Sequence, residues 1–223
     1  MDDKLKKFGI DWCLKNEGTA RPTDAASAAV DETSELPARP IFGRKVAVGA
    51  KKHFSCAFVH GPGAGSVMHA ESLTEKRVAL VLFAREDVAE LESQVPFRWI
   101  DEDGSEKTHY VDFRATKTDG SRVAIMVKYH KKLEQEDFRA HLACIAGQLP
   151  DHFADRMTLM TEAHIDPVEL HNATLFNAVR KLDPEADAIM RDAVADLVGA
   201  VKIGDLVAST GLAGRGFRSI ARL

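Results

Sequence analysis

The chain has 223 residues, of which 45% are hydrophobic and 29% are charged, and its formal net charge is −4. These values are ordinary for a globular protein with one substantial core and a small appended unit. No apolar run approaches the roughly 20 residues that span a bilayer, and the charged first residues argue against a secretory signal. We therefore expect a cytoplasmic protein without a membrane partner. The three cysteines lie far apart, which excludes a disulfide framework and a zinc ribbon.

Positive charge is concentrated in two short segments, although the net charge is negative. The first contains Arg39, Arg44, Lys45, Lys51, Lys52 and His53, and the second contains Lys128, His130, Lys131 and Lys132. Phosphate binding requires local rather than net positive charge. Two interpretations remain open, namely a cationic groove on an acidic body or two solvated surface patches. The groove would place DNA contacts at Arg44, Lys45, Lys51, Lys52, Lys131 and Lys132.

The N-terminal part is predicted to be an irregular arm over residues 1–40. Residues 18–40 are rich in Ala, Thr, Ser, Pro and acidic side chains and show no period of 2 or 3.6, which indicates a loop or partial disorder. Short β-like pieces follow at 45–48 and 56–59. The glycine-rich segment 61–65 then interrupts the chain.

The central part alternates between helical and strand signals. A helix is predicted at 71–83, since Leu73, Leu80 and Val81 follow spacings of three and four. Strands are predicted at 88–93, 97–100, 107–115 and 123–129, with Asp-Gly turn signals at 103–104 and 119–120. An amphipathic helix at 133–149 precedes a strand at 156–161, and this strand–helix–strand order favours a parallel pair.

The last part of the chain reads as helical. Helices are predicted at 167–182, 184–198, 201–207 and 217–223, which is typical of a small helical or winged-helix unit. The predicted organisation is an arm at 1–40, an α/β core at 41–165 and a C-terminal helical region at 166–223.

Three residues of this core have the chemistry that phosphodiester hydrolysis requires. Glu75 lies on the first core helix, Asp112 on the strand after the first Asp-Gly turn, and Lys128 on the next strand. Two strands joined by a hairpin bring Asp112 and Lys128 side by side, and a helix packed on them brings Glu75 near. Carboxylates hold Mg²⁺, the metal activates a water molecule, and a lysine stabilises developing negative charge. The alternative for each residue is a solvated charge or a surface ion pair.

A series of short motifs strengthens the nuclease interpretation. Residues 71–75 read Glu-Ser-Leu-Thr-Glu, and Val88 and the run Gln94-Val95-Pro96 follow. Residues 110–113 read Tyr-Val-Asp-Phe, and residues 126–128 read Met-Val-Lys. Further matching pieces lie at 159–162, 165, 170–172, Leu175, Arg180 and 201–206. In this order and spacing the chain resembles, over roughly residues 39–223, the TnsA transposon endonucleases of the PD-(D/E)xK superfamily.

The resemblance implies a fold, a site and partners. The fold is a restriction-endonuclease-like mixed sheet flanked by helices. Glu75, Asp112 and the backbone carbonyl of Val127 would bind Mg²⁺, or Mn²⁺ in its place, and Lys128 would serve the attacking water. The activity would be cleavage of one DNA strand at each transposon end. The partners would be double-stranded DNA, a DDE transposase and an AAA+ ATPase regulator, with the C-terminal region contacting the regulator or DNA.

Two positions depart from the family pattern. Val111 stands where proline is usual, which only removes some backbone stiffness. Met126 stands where Glu or Gln would supply a metal ligand, and a thioether is a poor ligand for Mg²⁺. Glu71, one turn before Glu75, is the additional candidate ligand, with Glu134 more distant. An inactive DNA-binding assembly subunit therefore remains an alternative, as does a decayed restriction-type nuclease with another DNA-linked role.

Overall fold

The computed structural model describes residues 36–39, 54–195 and 197–223, and these form a mixed α/β fold. The strands are β1 Cys56–His60, β2 Ser66–Ala70, β3 Val88–Ile100, β4 Glu106–Lys117, β5 Arg122–Val127 and β6 Arg156–Met160. The helices are α1 Leu73–Phe83, α2 Glu136–Ala146, α3 Pro167–Ala178, α4 Pro184–Ala195, α5 Ile203–Thr210 and α6 Gly214–Ile220. Within these described ranges, no helix has the length and apolar character needed to cross a membrane.

The main sheet has four strands in the order β3-β4-β5-β6. Adjacent strands β3, β4 and β5 are antiparallel and joined by tight turns in which Gly104 and Gly120 adopt positive φ angles of 79° and 85°. These are the two Asp-Gly turns that the sequence indicates. Strands β5 and β6 are parallel, which confirms the predicted crossover through α2.

Apolar side chains cover both faces of this sheet. On one face Val123, Ile125 and Val127 of β5 pack with Val78 and Leu82 of α1. On the opposite face Ala124 packs with Ile145 of α2, together with Phe97, Trp99, Val111 and Phe153. Strand β5 is therefore buried on both sides, as its continuous apolar sequence predicts.

The glycine-rich segment is the turn of a hairpin rather than the end of a strand region. Strands β1 and β2 pair antiparallel around it. Only glycine fits at position 65, because its φ angle is 73° and a Cβ there would lie 2.4 Å from the His60 carbonyl oxygen. Strand β2 was not predicted, because the glycines that precede it indicate a loop rather than a strand. Ala38, from the predicted arm, bridges to Ser66 of this hairpin.

Several predicted boundaries were wrong. The strands predicted at 88–93 and 97–100 are one strand, β3, which runs on through Gln94, with Pro96 paired to Tyr110. The helix predicted at 133–149 is a 3-10 helix, His130–Glu134, followed by α2. The helix predicted at 167–182 ends at Ala178.

The described residues of 166–223 contain only helices, without the strands of a winged helix. Helix α3 packs on α1 through Ala173, which contacts Leu80 and Val81. Helices α4, α5 and α6 pack on one another. Gly216 allows the close approach within this unit, since a Cβ there would lie 3.1 Å from the Met190 side chain.

Candidate active site

The candidate site lies at the point where β4 and β5 separate. Phe113 and Ile125 form the last pair of their ladder at this end. Beyond it the Asp112 carboxylate, rather than a backbone carbonyl, accepts the Val127 N–H, with a distance of 2.7 Å between N and Oδ2. Strand β5 continues along β6 instead, since the Lys128 N–H donates to the Met160 carbonyl over 3.0 Å. This separation of the two strands, called the fork below, leaves room for polar side chains at the carboxyl end of β5.

Lys128 and Asp112 meet at the fork. The Lys128 Nζ lies 3.0 Å from the Asp112 Oδ2, and both side chains are largely buried. The predicted approach of these two residues through a hairpin is therefore present. The strand predicted at 123–129 ends two residues earlier than expected, at Val127, so Lys128 directly follows β5.

Glu75 is held in the first turn of α1. Ser72 caps this helix, and its Oγ accepts the Glu75 N–H over 3.0 Å while donating to Glu75 Oε1 over 2.9 Å. The Glu71 N–H donates to the second carboxylate oxygen, Oε2, over 2.8 Å. This arrangement is related to a capping box, and its sequence signal is the spacing Ser72–Glu75. The helix cap therefore fixes both carboxylate oxygens of Glu75.

The charges show that Glu75 lies near the other two residues. Burial, and then the negative charge of Asp112, raise the pKa of Glu75 to about 7, whereas Lys128 acts to lower it. Glu75 and Asp112 are each 7% exposed as whole residues. Two buried carboxylates that repel each other are stabilised when a cation lies between them.

The residues at the fork fit a magnesium ion. Mg²⁺ retains several waters and is commonly held by one or two carboxylates together with substrate phosphates. Glu75 and Asp112 supply two carboxylates, and Val127, whose carbonyl is the third predicted ligand, is bound to Asp112 through its amide. No group of three or more His, Cys, Asp or Glu side chains suited to a metal occurs among the residues described. The protein would thus supply few of the ligands, and water and phosphate the rest.

Met126 cannot take part as a ligand in this arrangement. It is 3% exposed and packs in an apolar cluster with Leu133 and Leu142. The position that carries an acid or amide in the resembling family is thus part of the core here.

The two substitute ligands have different positions. Glu71 precedes the Ser72 cap, so the expectation that it shares a helical face with Glu75 was wrong, and its shown link to Glu75 is a backbone hydrogen bond. Glu134 ends the 3-10 helix and is exposed.

The predicted DNA contacts are only partly covered by the structure. Arg44, Lys45, Lys51 and Lys52 lie outside the described residues. Lys131 and Lys132 are exposed on the 3-10 helix that follows Lys128, and the Lys132 Nζ lies 4.7 Å from the centre of the Phe138 ring. Two of the predicted cations therefore lie close in sequence to the fork and are accessible.

His109 is a neighbour of the site, for which its place in the strand before Tyr110 predicts a structural side chain. Its Nε2 is buried without a hydrogen-bond partner, and its ring packs edge-on against Phe97 at 5.7 Å. Burial lowers the pKa of His109, while Asp112 acts to raise it and Lys128 to lower it.

Comparisons with known proteins leave the family of the chain open. No protein-family model matches it, and no curated protein matches it. The likeness to the TnsA endonucleases therefore depends on the motif residues.

Proposed function

We propose that the protein is a Mg²⁺-dependent DNA endonuclease subunit of a transposition system. The observation that carries this proposal is the convergence of Glu75, Asp112 and Lys128 at the β4–β5 fork. The sheet order supports the finer fold assignment, since three antiparallel strands followed by a parallel one, with helices on both faces, agree with a restriction-endonuclease-like core.

Each residue has a distinct role in the proposed reaction. Glu75 and Asp112 would hold the ion, which when bound would acidify a water molecule and polarise the scissile phosphate. Asp112 also orients the Lys128 ammonium, with which it forms an ion pair. Lys128 then stabilises negative charge that develops on the attacking water and the phosphate. Glu75 must lose its proton before it can bind a cation.

The proposed partners follow from the resemblance and from the surface. Lys131 and Lys132 would contact the phosphates of double-stranded DNA beside the fork. A DDE transposase would process the other strand at the transposon ends, and an AAA+ ATPase would regulate both enzymes.

The test is nicking of duplex DNA that carries transposon ends, with Mg²⁺ or Mn²⁺ and with the transposase present. We expect Asp112→Ala and Lys128→Ala each to reduce nicking by roughly 100-fold or more, because each removes a group that acts on the reacting phosphate. Asp192→Ala is the matched control, since this aspartate is exposed on α4 and is no part of the proposed site, and it should cut normally. Nicking preserved in both site variants would contradict the proposed site.

A second candidate function is a DNA-binding assembly subunit that does not cut. Its support is the apolar environment of Met126, which leaves the described part of the site with two carboxylates. It predicts DNA or transposase binding without cleavage in either metal.

The Met126 substitution separates the two candidates. Because this side chain packs in an apolar cluster, Met126→Gln should raise cutting only if the new amide turns out of the cluster toward the fork and the missing ligand limits activity. Met126→Glu should lower stability in either case, because it places a charge in that cluster. The measurements are the nicking rate and urea unfolding. Strong cutting by the wild-type protein would contradict the assembly-only function.

A further inference from the structure

Gln94 has an unusual backbone conformation in the middle of β3. Its φ angle is 53°, while regular strands have negative φ angles. A residue with a side chain rarely adopts this conformation, and Gln94 is also 3% exposed. Strained residues of this kind persist only where the surrounding structure holds them, and they concentrate at functional sites.

Gln94 lies directly across the hairpin from Asp112. Ser93 pairs with Phe113 and Val95 pairs with Val111, so the register places Gln94 opposite Asp112. The pairing does not slip between these two pairs. The positive φ therefore does not accommodate an extra residue, as it would in a β-bulge.

The hairpin turns over at this position. Before Gln94, Leu91 and Phe113 pack on the α1 face of the sheet. Beyond it, Phe97 and Val111 pack on the α2 face. Alternation along a regular strand would keep these odd-numbered residues on one face. Gln94, with its left-handed backbone, thus lies where the side chains of the hairpin change from one face of the sheet to the other. The part of the hairpin beyond it, residues 95–111, is called the outer hairpin.

The same position ends the ladder between β4 and β5. The last pair there is Phe113 with Ile125, and the next residue of β4 is Asp112, whose carboxylate takes the Val127 N–H. We propose that Gln94 is a positioning residue whose left-handed backbone turns the outer hairpin away from β5. This turn holds the Asp112 carboxylate against the Val127 amide and Lys128. The inference deepens the proposed endonuclease function and rests on it for its catalytic meaning.

The test uses substitutions that differ in their preference for positive φ. Glycine adopts positive φ freely and asparagine tolerates it, whereas β-branched valine does not. The readout in the full-length, metal-free protein is native-state amide exchange at Val127, with Ile125 as an internal reference in the same strand. We expect Gln94→Gly and Gln94→Asn to keep the wild-type exchange rate at Val127. Gln94→Val should raise it at least about tenfold, while exchange at Ile125 changes little.

Controls keep the inference falsifiable. Glu90→Val places the same β-branched side chain at an exposed position of β3 and should leave Val127 protected. If Gln94→Val does not fold, Gln94→Ala carries the same expectation with a smaller increase. Wild-type protection of the Val127 amide in Gln94→Val or in this alanine variant would overturn the inference. An equal loss of protection in Gln94→Gly would also overturn it, because the Gln94 side chain rather than its backbone conformation would then hold the Val127 amide.

A second measurement separates this inference from the proposed function. Mn²⁺ binding to each variant is measured by calorimetry without DNA. Gln94→Gly should bind as the wild type does, and Gln94→Val should bind at least about tenfold more weakly. A wild-type protein that binds no Mn²⁺ would contradict the metal-dependent function, while the amide-exchange result would still decide the role of Gln94.

Discussion

At the scale of single residues, Glu75 has the most unusual electrostatics. The helix cap that fixes it also buries it, and Asp112 adds a second negative charge nearby. The site therefore favours a protonated Glu75 until a cation arrives. The proposed binding of Mg²⁺ would release that proton, so its affinity is expected to rise with pH through about 7.

The same shift predicts how stability depends on pH without metal. The native pKa of Glu75 is about 7 and the reference value is 4.5, so the native state binds a proton that the unfolded state releases between these values. Glu75 therefore makes its whole contribution to the free energy of unfolding below about pH 4.5. This contribution, on the order of 3 kcal/mol, is lost as the pH rises through about 7.

Urea unfolding at pH 5 and pH 8 in EDTA measures this effect. The wild type should lose stability between pH 5 and pH 8, whereas Glu75→Gln should not lose this contribution because Gln cannot ionise. The free energy of unfolding of the variant minus that of the wild type should therefore be larger at pH 8 than at pH 5. Glu134→Gln, at an exposed position, serves as the control and should show no such difference. A wild-type protein and a Glu75→Gln variant with the same pH dependence would contradict the assigned environment of Glu75.

At the scale of elements, two arginines connect α6 and the residues that follow it to the start of α4, and one of their ion pairs is buried. Arg222 donates to the Asp187 carboxylate and, over 3.1 Å, to the Val179 carbonyl. The two charged side chains are only 10% and 13% exposed. Arg215 forms a second link, with two 2.8 Å hydrogen bonds to Asp183, and this hydrogen bonding holds the pKa of Asp183 well below its usual range.

Removal of one partner from the buried pair should destabilise the C-terminal unit. Arg222→Met leaves Asp187 buried without its cation, at an expected cost of about 3 kcal/mol. Arg98→Met is the matched control, because its pair with Glu106 is exposed at 76% and 53%, and it should cost less than about 1 kcal/mol. Urea unfolding compares the two variants, and amide exchange in α4 and α6 locates the loss. An equal loss of stability in the two variants would contradict the expectation that the buried pair contributes more to stability than the exposed pair.

At the scale of the whole molecule, a negative net charge has to be reconciled with the proposed DNA binding. The chain carries −4, so binding depends on local patches such as Lys131 and Lys132. Each lysine that contacts a phosphate contributes about one unit to the slope of log affinity against log salt concentration. The salt dependence of DNA binding therefore distinguishes a cationic groove that contacts DNA from a solvated surface patch that does not.

Substitution of both lysines by alanine should therefore lower that slope by about 2. Binding to duplex DNA is measured by fluorescence anisotropy across a salt series. Lys202→Ala, an exposed lysine beside α5, should leave the slope unchanged. An unchanged slope in the double variant would identify the 3-10 helix as ordinary solvated surface.

Much of the element order followed from local signals. The Asp-Gly turns, the apolar run of β5 and the Ser72–Glu75 cap each act within a few residues, so they could be recognised without knowledge of the fold. Strand β2 and the continuity of β3 could not, because the glycines before β2 and Pro96 within β3 are usually found where strands end. Pairing with β1 and with β4 outweighed those local preferences.

The chemistry of Glu75, Asp112 and Lys128 and their placement on neighbouring elements suggested one group, and the motif resemblance was needed to choose them among the many charged residues. Packing decided the remaining features: the raised pKa of Glu75, the apolar position of Met126 and the left-handed backbone of Gln94. These depend on burial and on charges brought together from distant parts of the chain. No pattern along the sequence contains those distances, because they are set only when the sheet, α1 and α2 come together.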